Sequence, residues 1–222
     1  MAVVFLNAGP RSVHLFHLTY EEEGLECPEI DERVEQVALL YPRSWVEAVD
    51  QMPGDKVHDY CFMGSLYRSE TFPHRDWILD FAKRRFSDRS YLLLSEAPPE
   101  HERLGPFDHT GDMSAVFVPK EAPWGRERAF FNPPFFEALR SSQFALCPAG
   151  DAPWSMRFFE AVMCRSIPIV SDRRHVGRNK RERSIGYHVY LQEDEHTYDE
   201  ELVEENHRLF LRHHTLIGGA EA

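Results

Sequence analysis

Short apolar runs, bounded by glycine, proline and polar residues, recur along the whole chain. Runs of about four to eight apolar residues between turn signals are typical of buried strands. We therefore predict strands at residues 2–6, 13–20, 60–63, 91–95, 114–118, 144–147, 167–170 and 186–191.

Apolar residues at helical spacing predict helices between several of these strands. In the segment 73–86, Trp77, Ile78 and Phe81 fall near one helical face, with basic residues elsewhere. Other helices are predicted at 34–49 (interrupted by Pro42), at 135–141, after Ser155, and within 193–211. Turn formers and charges predict loops or irregular structure at 21–35, 96–112 and 120–134.

The stretch 144–170 carries the clearest functional signal. Its first apolar run ends at Pro148 and Gly150, Ser155 is a suitable helix N-cap, and a second apolar run follows after a short helix. Two parallel strands joined by a helix form a right-handed βαβ unit. Because ligands bind at the carboxyl ends of parallel strands, the loop and the helix start mark a candidate site.

The start of this helix can attract an anion. Free backbone N–H groups and the helix dipole favour negative charge there. Arg157 can hold a phosphate through two hydrogen bonds, and Glu160 shares its face and can accept from sugar hydroxyls. The stretch could hold a nucleoside diphosphate by its phosphates and ribose. The alternative is an ordinary βαβ unit with an Arg157–Glu160 ion pair, since one loop–helix signal is weak.

Two other segments could face the same diphosphate. The strand at 60–63 ends in Gly64 and Ser65, and Arg68 and Arg75 follow. Alternatively, Gly64 only permits a tight turn and the arginines are solvated. Residues 171–183 form a basic segment directly after the second strand of the βαβ unit. Alternatively, this segment is a solvated loop whose charges pair with the acidic residues of 193–205.

Composition narrows the class of protein. The chain has 222 residues with 42% hydrophobic content, which supports a sizeable core. Its formal net charge of −12 argues against a nucleic-acid binder. No apolar run is long enough to span a membrane, and the N-terminus lacks a basic leader. The four cysteines, Cys27, Cys61, Cys147 and Cys164, lack zinc-like spacing and are expected to be free thiols, although a Cys147–Cys164 bridge stays open.

These motifs resemble the signature of the exostosin-like glycosyltransferases, family 47. The resemblance lies in Cys147-Pro148-x-Gly150, Ser155-x-Arg157-x-x-Glu160-Ala161 and Ile167-Pro168-Ile169-Val170, together with the region 62–77. It implies an α/β fold, a Rossmann-like parallel sheet with helices on both faces, similar to the C-terminal, donor-binding half of a GT-B enzyme. It also implies transfer of a hexosyl or pentosyl unit from a nucleotide-sugar donor to a hydroxyl of a glycan acceptor, with inversion.

The resemblance assigns donor binding to a set of residues at the loop ends and the helix start. These are Gly64, Ser65, Arg68, Pro148, Gly150, Ser155, Arg157 and Glu160. The nucleotide sugar is a substrate, and we expect no cofactor and no metal. The catalytic base is not identified; weak candidates are His14, His17, Asp112 and Asp151.

Domain organisation follows from the same comparison. We expect a reduced N-terminal segment at 1–56, which could belong to the acceptor side, a nucleotide-sugar-binding domain at 57–216, and a loose tail at 217–222. A partner could supply a fuller acceptor domain. The family is usually anchored in the secretory pathway, but this sequence shows no anchor. We therefore expect a cytoplasmic protein or the soluble part of a trimmed secretory one. Two alternatives stay open: a nucleotide-sugar-binding module without transfer activity of its own, and a flavodoxin-like domain unrelated to sugars.

Overall fold

A small sheet lies at the start of the chain. It consists of β1 (Val4–Ala8), β2 (Arg11–Leu15) and β3 (Leu39–Leu40). β1 and β2 pair antiparallel, and β2 and β3 pair parallel. The computed structural model describes residues 4–8, 11–15, 39–41, 43–64, 66, 75–94, 109–110, 132–150, 153–177 and 180–215.

In the part of the chain that the structure describes, the main sheet has six strands, and all neighbouring strands pair parallel. Its members are β4 (His58–Gly64), β5 (Tyr91–Leu94), β6 (His109–Thr110), β7 (Ser142–Leu146), β8 (Ile167–Val170) and β9 (Tyr190–Leu191). The spatial order is β6-β5-β4-β7-β8-β9. The chain thus builds outward from β4 in one direction, returns, and builds outward from β7 in the other. This is the doubly wound order of a Rossmann-like sheet.

Helices lie before, between and after these strands. They are α1 (Arg43–Asp50), α2 (Trp77–Arg85), α3 (Pro133–Arg140), α4 (Met156–Met163), α5 (Lys180–Arg183) and α6 (Glu200–His214), with a 3-10 helix at Arg173–Val176. In the described residues, no helix is both long and apolar enough to cross a membrane.

The central strands of the main sheet, β4, β5, β7 and β8, are largely buried. In β4, Phe62 belongs to one core cluster, whereas Cys61 and Met63 on either side of it belong to another. This alternation follows from the two-residue period of a strand. The Phe62 cluster packs against α2 through Trp77, Ile78 and Phe81, and the opposite cluster packs against α1, α3 and α4. The predicted Rossmann-like sheet with helices on both faces is therefore confirmed.

Element boundaries differ from prediction where capping or proline decides them. Residues 39–40 form a strand within the predicted helix 34–49, and α1 begins only after Pro42, because proline lacks the N–H that a helix interior needs. The closing helix begins at Glu200, since Asp199 Oδ1 accepts hydrogen bonds from the N–H groups of Glu201 and Leu202.

Other differences concern short elements. α2 begins at Trp77 rather than at residue 73, and β2 covers 11–15, while residues 16–20 of the strand predicted at 13–20 lie outside the described residues. The predicted loop at 96–112 contains β6, which is only two residues long and carries no periodicity that could reveal it. The predicted strand at 114–118 lies outside the described residues. The domain boundary at 56–57 stays a prediction.

The cysteines within the described part of the chain are free. Cys61, Cys147 and Cys164 are buried thiols, so a Cys147–Cys164 bridge is not formed. Cys27 lies outside the described residues.

Asn206 fastens α6 to the segment before β9. Its side chain is buried, accepts a hydrogen bond from His188 N at 2.7 Å and donates one to His188 O at 2.8 Å. We expect Asn206→Ala to lower the free energy of unfolding by roughly 1–3 kcal/mol, because it leaves a backbone donor and acceptor unpaired. Urea denaturation measures this. The control Arg208→Ala, on the exposed side of α6, should change it by less than about 0.5 kcal/mol; equal effects would contradict the prediction.

Candidate functional site

The strand order of the main sheet reverses between β4 and β7, and open α/β sheets form a crevice at such a point. β4 ends at Gly64 and β7 ends at Leu146, and the two strands are neighbours in the sheet. In open α/β sheets, ligands bind outside the carboxyl ends of the strands at this reversal point. We call this region the switch-point crevice; it is bordered by Gly64, the loop at 147–150 and the first turn of α4.

The loop after β7 is held at both ends. Cys147 N donates to Ile169 O at 2.8 Å, and Gly150 N donates to Trp154 O at 3.2 Å. Cys147 and Pro148 are buried, whereas Gly150 is half-buried. Pro148 and Gly150 thus lie at the carboxyl edge of the sheet, directly before α4, as predicted.

The start of α4 has an unused polar group. Ser155 occupies the predicted N-cap position with extended backbone dihedrals (φ −140°, ψ 153°), but its side chain makes no capping bond. Its Oγ is buried and has no hydrogen-bond partner. A buried hydroxyl without a hydrogen bond costs free energy. A ligand that reaches the helix start and bonds to this hydroxyl would remove that cost.

Arg157 spans the crevice from α4 to β4. Its Nη2 donates to Met63 O at 2.5 Å, and its Cζ lies 4.9 Å from the ring centroid of Phe62. Burial lowers the pKa of Arg157 from its ordinary value. Its Nε is buried and has no hydrogen-bond partner. The guanidinium is therefore fixed in orientation while some of its donors stay uncommitted.

Gly64 is required by this arrangement. Its φ of +155° is a conformation that residues with a side chain rarely adopt. A Cβ at Gly64 would lie 2.7 Å from Arg157 Nη2. The glycine therefore does more than permit a turn, because it makes room for the guanidinium at the end of β4.

Glu160 lies one turn further into α4 and is only 9% exposed. Its carboxylate has no hydrogen-bond or ion-pair partner among the described residues. Burial raises its pKa to about 7, and the nearby Arg157 partly opposes the rise. The alternative of an Arg157–Glu160 ion pair is not found, since no N···O distance within 4.0 Å joins the two described side chains. The two groups are therefore desolvated and close, but in the described structure they do not pair with each other.

Tyr41 supports the first turn of α4 from outside the sheet. It is fully buried, and its hydroxyl donates to Met156 O at 3.3 Å. Its backbone N–H donates to His214 O at 2.8 Å at the end of α6. Burial, followed by the charge of Glu160, raises the pKa of Tyr41. Sequence reasoning missed this residue, because no local pattern connects position 41 with α4.

The remaining predicted residues are placed only in part. Ser65, Arg68, His17, Asp112 and Asp151 lie outside the described residues. The backbone of His14 pairs with Phe5 and Leu39 in the small sheet. Arg75 directly precedes α2, where its carbonyl accepts from Ile78 N. Their roles stay predictions.

Two arginines of the basic segment after β8 bond to other residues of the same segment. Arg174 pairs with Asp172, and Arg183 Nη1 donates to Gly177 O at 3.2 Å. Among the described residues, acids of 193–205 instead pair with other arginines, including Arg84 and Arg165. The alternative that these acids neutralise the segment therefore finds no support in the described part of the chain.

In the part of the chain that the structure describes, no cluster of three or more histidine, cysteine, aspartate or glutamate side chains could hold a metal ion. The charges at the crevice come from Arg157, Glu160 and the start of α4.

The sheet order defines a Rossmann-like α/β protein whose strand order reverses between β4 and β7. A family model described as the exostosin GT47 domain matches residues 70–196, more than half of the chain. The chain belongs to this family, which confirms the resemblance seen in its motifs.

Other comparisons are more limited. A curated relative, a probable glucuronosyltransferase of Oryza sativa subsp. japonica, is 47% identical over 38 residues. The shared segment covers 17% of this chain and 9% of the relative. No solved structure matches the chain significantly.

We expect Gly64→Ala to lower the free energy of unfolding by about 1–3 kcal/mol, because the new Cβ combines an unfavourable φ with a clash against Arg157. Gly150→Ala is the matched control, since its Cβ would meet nothing closer than 3.5 Å. Denaturant titration of both variants tests this, and a Gly64→Ala protein as stable as the control would contradict it.

The stability of the protein should depend on the protonation of Glu160. An unfolded glutamate has a pKa of 4.5 and folded Glu160 has one of about 7, so between these values the folded state binds more protons. The contribution of Glu160 to the free energy of unfolding therefore falls as pH rises, by up to roughly 3 kcal/mol. Glu160→Gln cannot ionise and should gain stability relative to the parent between pH 5 and pH 8.

Denaturant titrations of both proteins at the two pH values measure this difference. The comparison cancels the other titrating groups, such as His196 and His207, whose pKa values are lowered mainly by burial. Parallel stability–pH curves for the two proteins would contradict a raised pKa at Glu160.

Proposed function

We propose that the protein is a glycosyltransferase that moves a sugar from a nucleotide-diphosphate sugar to a hydroxyl of a glycan acceptor. Membership of the exostosin GT47 family supports this proposal. The printed name of the relative, a probable glucuronosyltransferase, makes a nucleotide-activated glucuronic acid the first donor to examine among hexosyl and pentosyl donors.

The observation that carries the proposal is the group of unpartnered polar atoms at the start of α4. Within the described residues, Ser155 Oγ and Arg157 Nε are buried without a partner, and Glu160 is a desolvated carboxyl three residues after Arg157. Buried polar groups are normally hydrogen-bonded. A ligand with both phosphate oxygens and hydroxyls would satisfy this set.

Each group has a role in binding such a donor. The N–H groups at the start of α4 and the guanidinium of Arg157 would hold the diphosphate and stabilise its charge as it leaves. The carboxylate of Glu160 would accept hydrogen bonds from the ribose hydroxyls. Gly64 and the loop at 147–150 would form the walls, with Ser65 and Arg68 continuing the wall beyond β4.

The finer features of the reaction belong to the same proposal. Protein charges would stabilise the leaving group without a metal, and the sugar would be transferred with inversion. A base must then take the proton of the acceptor hydroxyl; candidates are His14, Asp112 and Asp151. The segment 1–56 would contribute to the acceptor side, together with a partner that completes it.

Thermal denaturation with added nucleotides tests donor binding. We expect a nucleoside diphosphate, or the matching nucleotide sugar, to raise the Tm of the full chain, because a ligand that binds only the folded state stabilises it. Arg157→Ala should abolish the shift, and Arg157→Lys should reduce it, because lysine keeps the charge but loses the fork. Glu160→Gln should weaken affinity by roughly 1–3 kcal/mol.

The control is Arg43→Ala, an exposed arginine on α1 that pairs with Glu47, which should leave the shift unchanged. No shift with any of several nucleotides would refute the donor site. If a nucleotide binds, release of nucleoside diphosphate from the nucleotide sugar separates the two functions: slow release without an acceptor indicates an enzyme, and binding without release or transfer indicates a binding module.

A further inference from the structure

Two cations meet at the amino edge of the main sheet, the edge opposite the switch-point crevice. Lys56 lies two residues before β4, and Arg140 ends α3 just before β7. Since β4 and β7 are neighbours, their starts are adjacent, and His58 N donates to Ser141 O at 3.0 Å. β4 has seven residues, so this edge lies roughly 20 Å from the crevice.

Arg140 is held in place without a carboxylate. Its guanidinium lies against Gly54, where a Cβ would stand 3.3 Å from Nη2 and 3.7 Å from Cζ. Its Nε is buried and has no hydrogen-bond partner. The guanidinium has no ion-pair partner among the described residues. A desolvated donor of this kind is costly unless a ligand pairs with it.

Lys56 places a second positive charge beside it. Its Nζ donates to Arg140 O at 2.7 Å, which brings the ammonium to the last carbonyl of α3. Like Arg140, it has no carboxylate partner in the described part of the chain. Burial first, and then the charge of Arg140, lowers the pKa of Lys56 to about 8. The two like charges therefore repel each other, which raises the free energy of keeping both of them at this edge.

A third cation at the same edge, Arg165, is neutralised by carboxylates. Arg165 follows α4, and it pairs with both Asp50 and Glu204. The chain has 37 acidic residues against 25 basic ones, so carboxylates are plentiful. Their absence from Lys56 and Arg140 is a local feature of the described residues and leaves both cations without a counter-charge there.

We propose that Lys56 and Arg140, with Gly54 as the cradle of the guanidinium, form a binding site for a small oxyanion of the phosphate or sulfate class. The guanidinium would hold two oxygens through paired N–H groups, and the ammonium would add a point charge. The C-terminal dipole of α3 opposes an anion here, so the two side chains must outweigh it. The site is independent of the donor crevice and of the function proposed for it.

The test measures thermal stability against inorganic phosphate and inorganic sulfate, with sodium chloride at matched ionic strength as reference. Either oxyanion should raise Tm beyond chloride. Arg140→Met should weaken the apparent Kd at least tenfold, and Gly54→Val should weaken it too, because the added side chain displaces the guanidinium without removing a charge. Arg43→Met, a surface control, should bind as the parent does.

The affinity should also fall as pH rises through 8, because Lys56 loses its proton. The groups that face Lys56 are Arg140 and Arg165, which lower its pKa, and Cys61 and Cys164, which raise it. Lys56→Met should remove this pH dependence. A monosaccharide sulfate tested beside inorganic sulfate identifies the source: tighter binding of the sugar ester indicates a glycan-borne group, and equal binding indicates the free ion.

Nucleotide binding in Arg140→Met keeps the two sites distinct. The nucleotide-induced rise in Tm should be unchanged in this variant, whether or not the donor proposal itself holds. Oxyanion shifts that do not exceed those of chloride, or that are the same in Arg140→Met and the parent, would overturn the proposal.

Discussion

The guanidinium of Arg157 joins the two halves of the main sheet at the point where its strand order reverses. It donates to Met63 O at the end of β4, and its Cζ lies 4.9 Å from the ring centroid of Phe62, while its own helix follows β7. This cross-connection requires a glycine at position 64, because a side chain there would occupy the space of the guanidinium. The same contact leaves the Nε of Arg157 without a hydrogen-bond partner in the described part of the chain.

The unsatisfied polar groups at the start of α4 lower the stability of the folded state. A protonatable carboxyl, a guanidinium with an unpartnered Nε and an uncapped serine lie within six residues of the described chain. A helix selected for stability alone would carry a capping bond and an internal ion pair here. Sites that must receive a charged ligand show this pattern, because their polar groups are completed only by the ligand.

Sequence patterns were sufficient for the elements whose signals are local. The apolar runs at 144–147 and 167–170, with Ser155 between them, predicted the βαβ unit, and family motifs predicted the Rossmann-like sheet. β6, with two residues, has no period to detect. The contacts of Arg157 with Phe62 and Met63, and the pairing of Lys56 with Arg140, join positions more than eighty residues apart. Such contacts depend on strand order, which a single sequence does not display.

Tyr41 links α4 to the last helix of the described chain. Its hydroxyl bonds to Met156 O in the first turn of α4, and its N–H bonds to His214 O at the end of α6. On the ribosome, α6 emerges after every strand of the main sheet. The sheet can therefore assemble before this clamp exists, and the first turn of α4 gains its full support only when the last helix has docked. The crevice would thus be the part of the fold that matures last during synthesis.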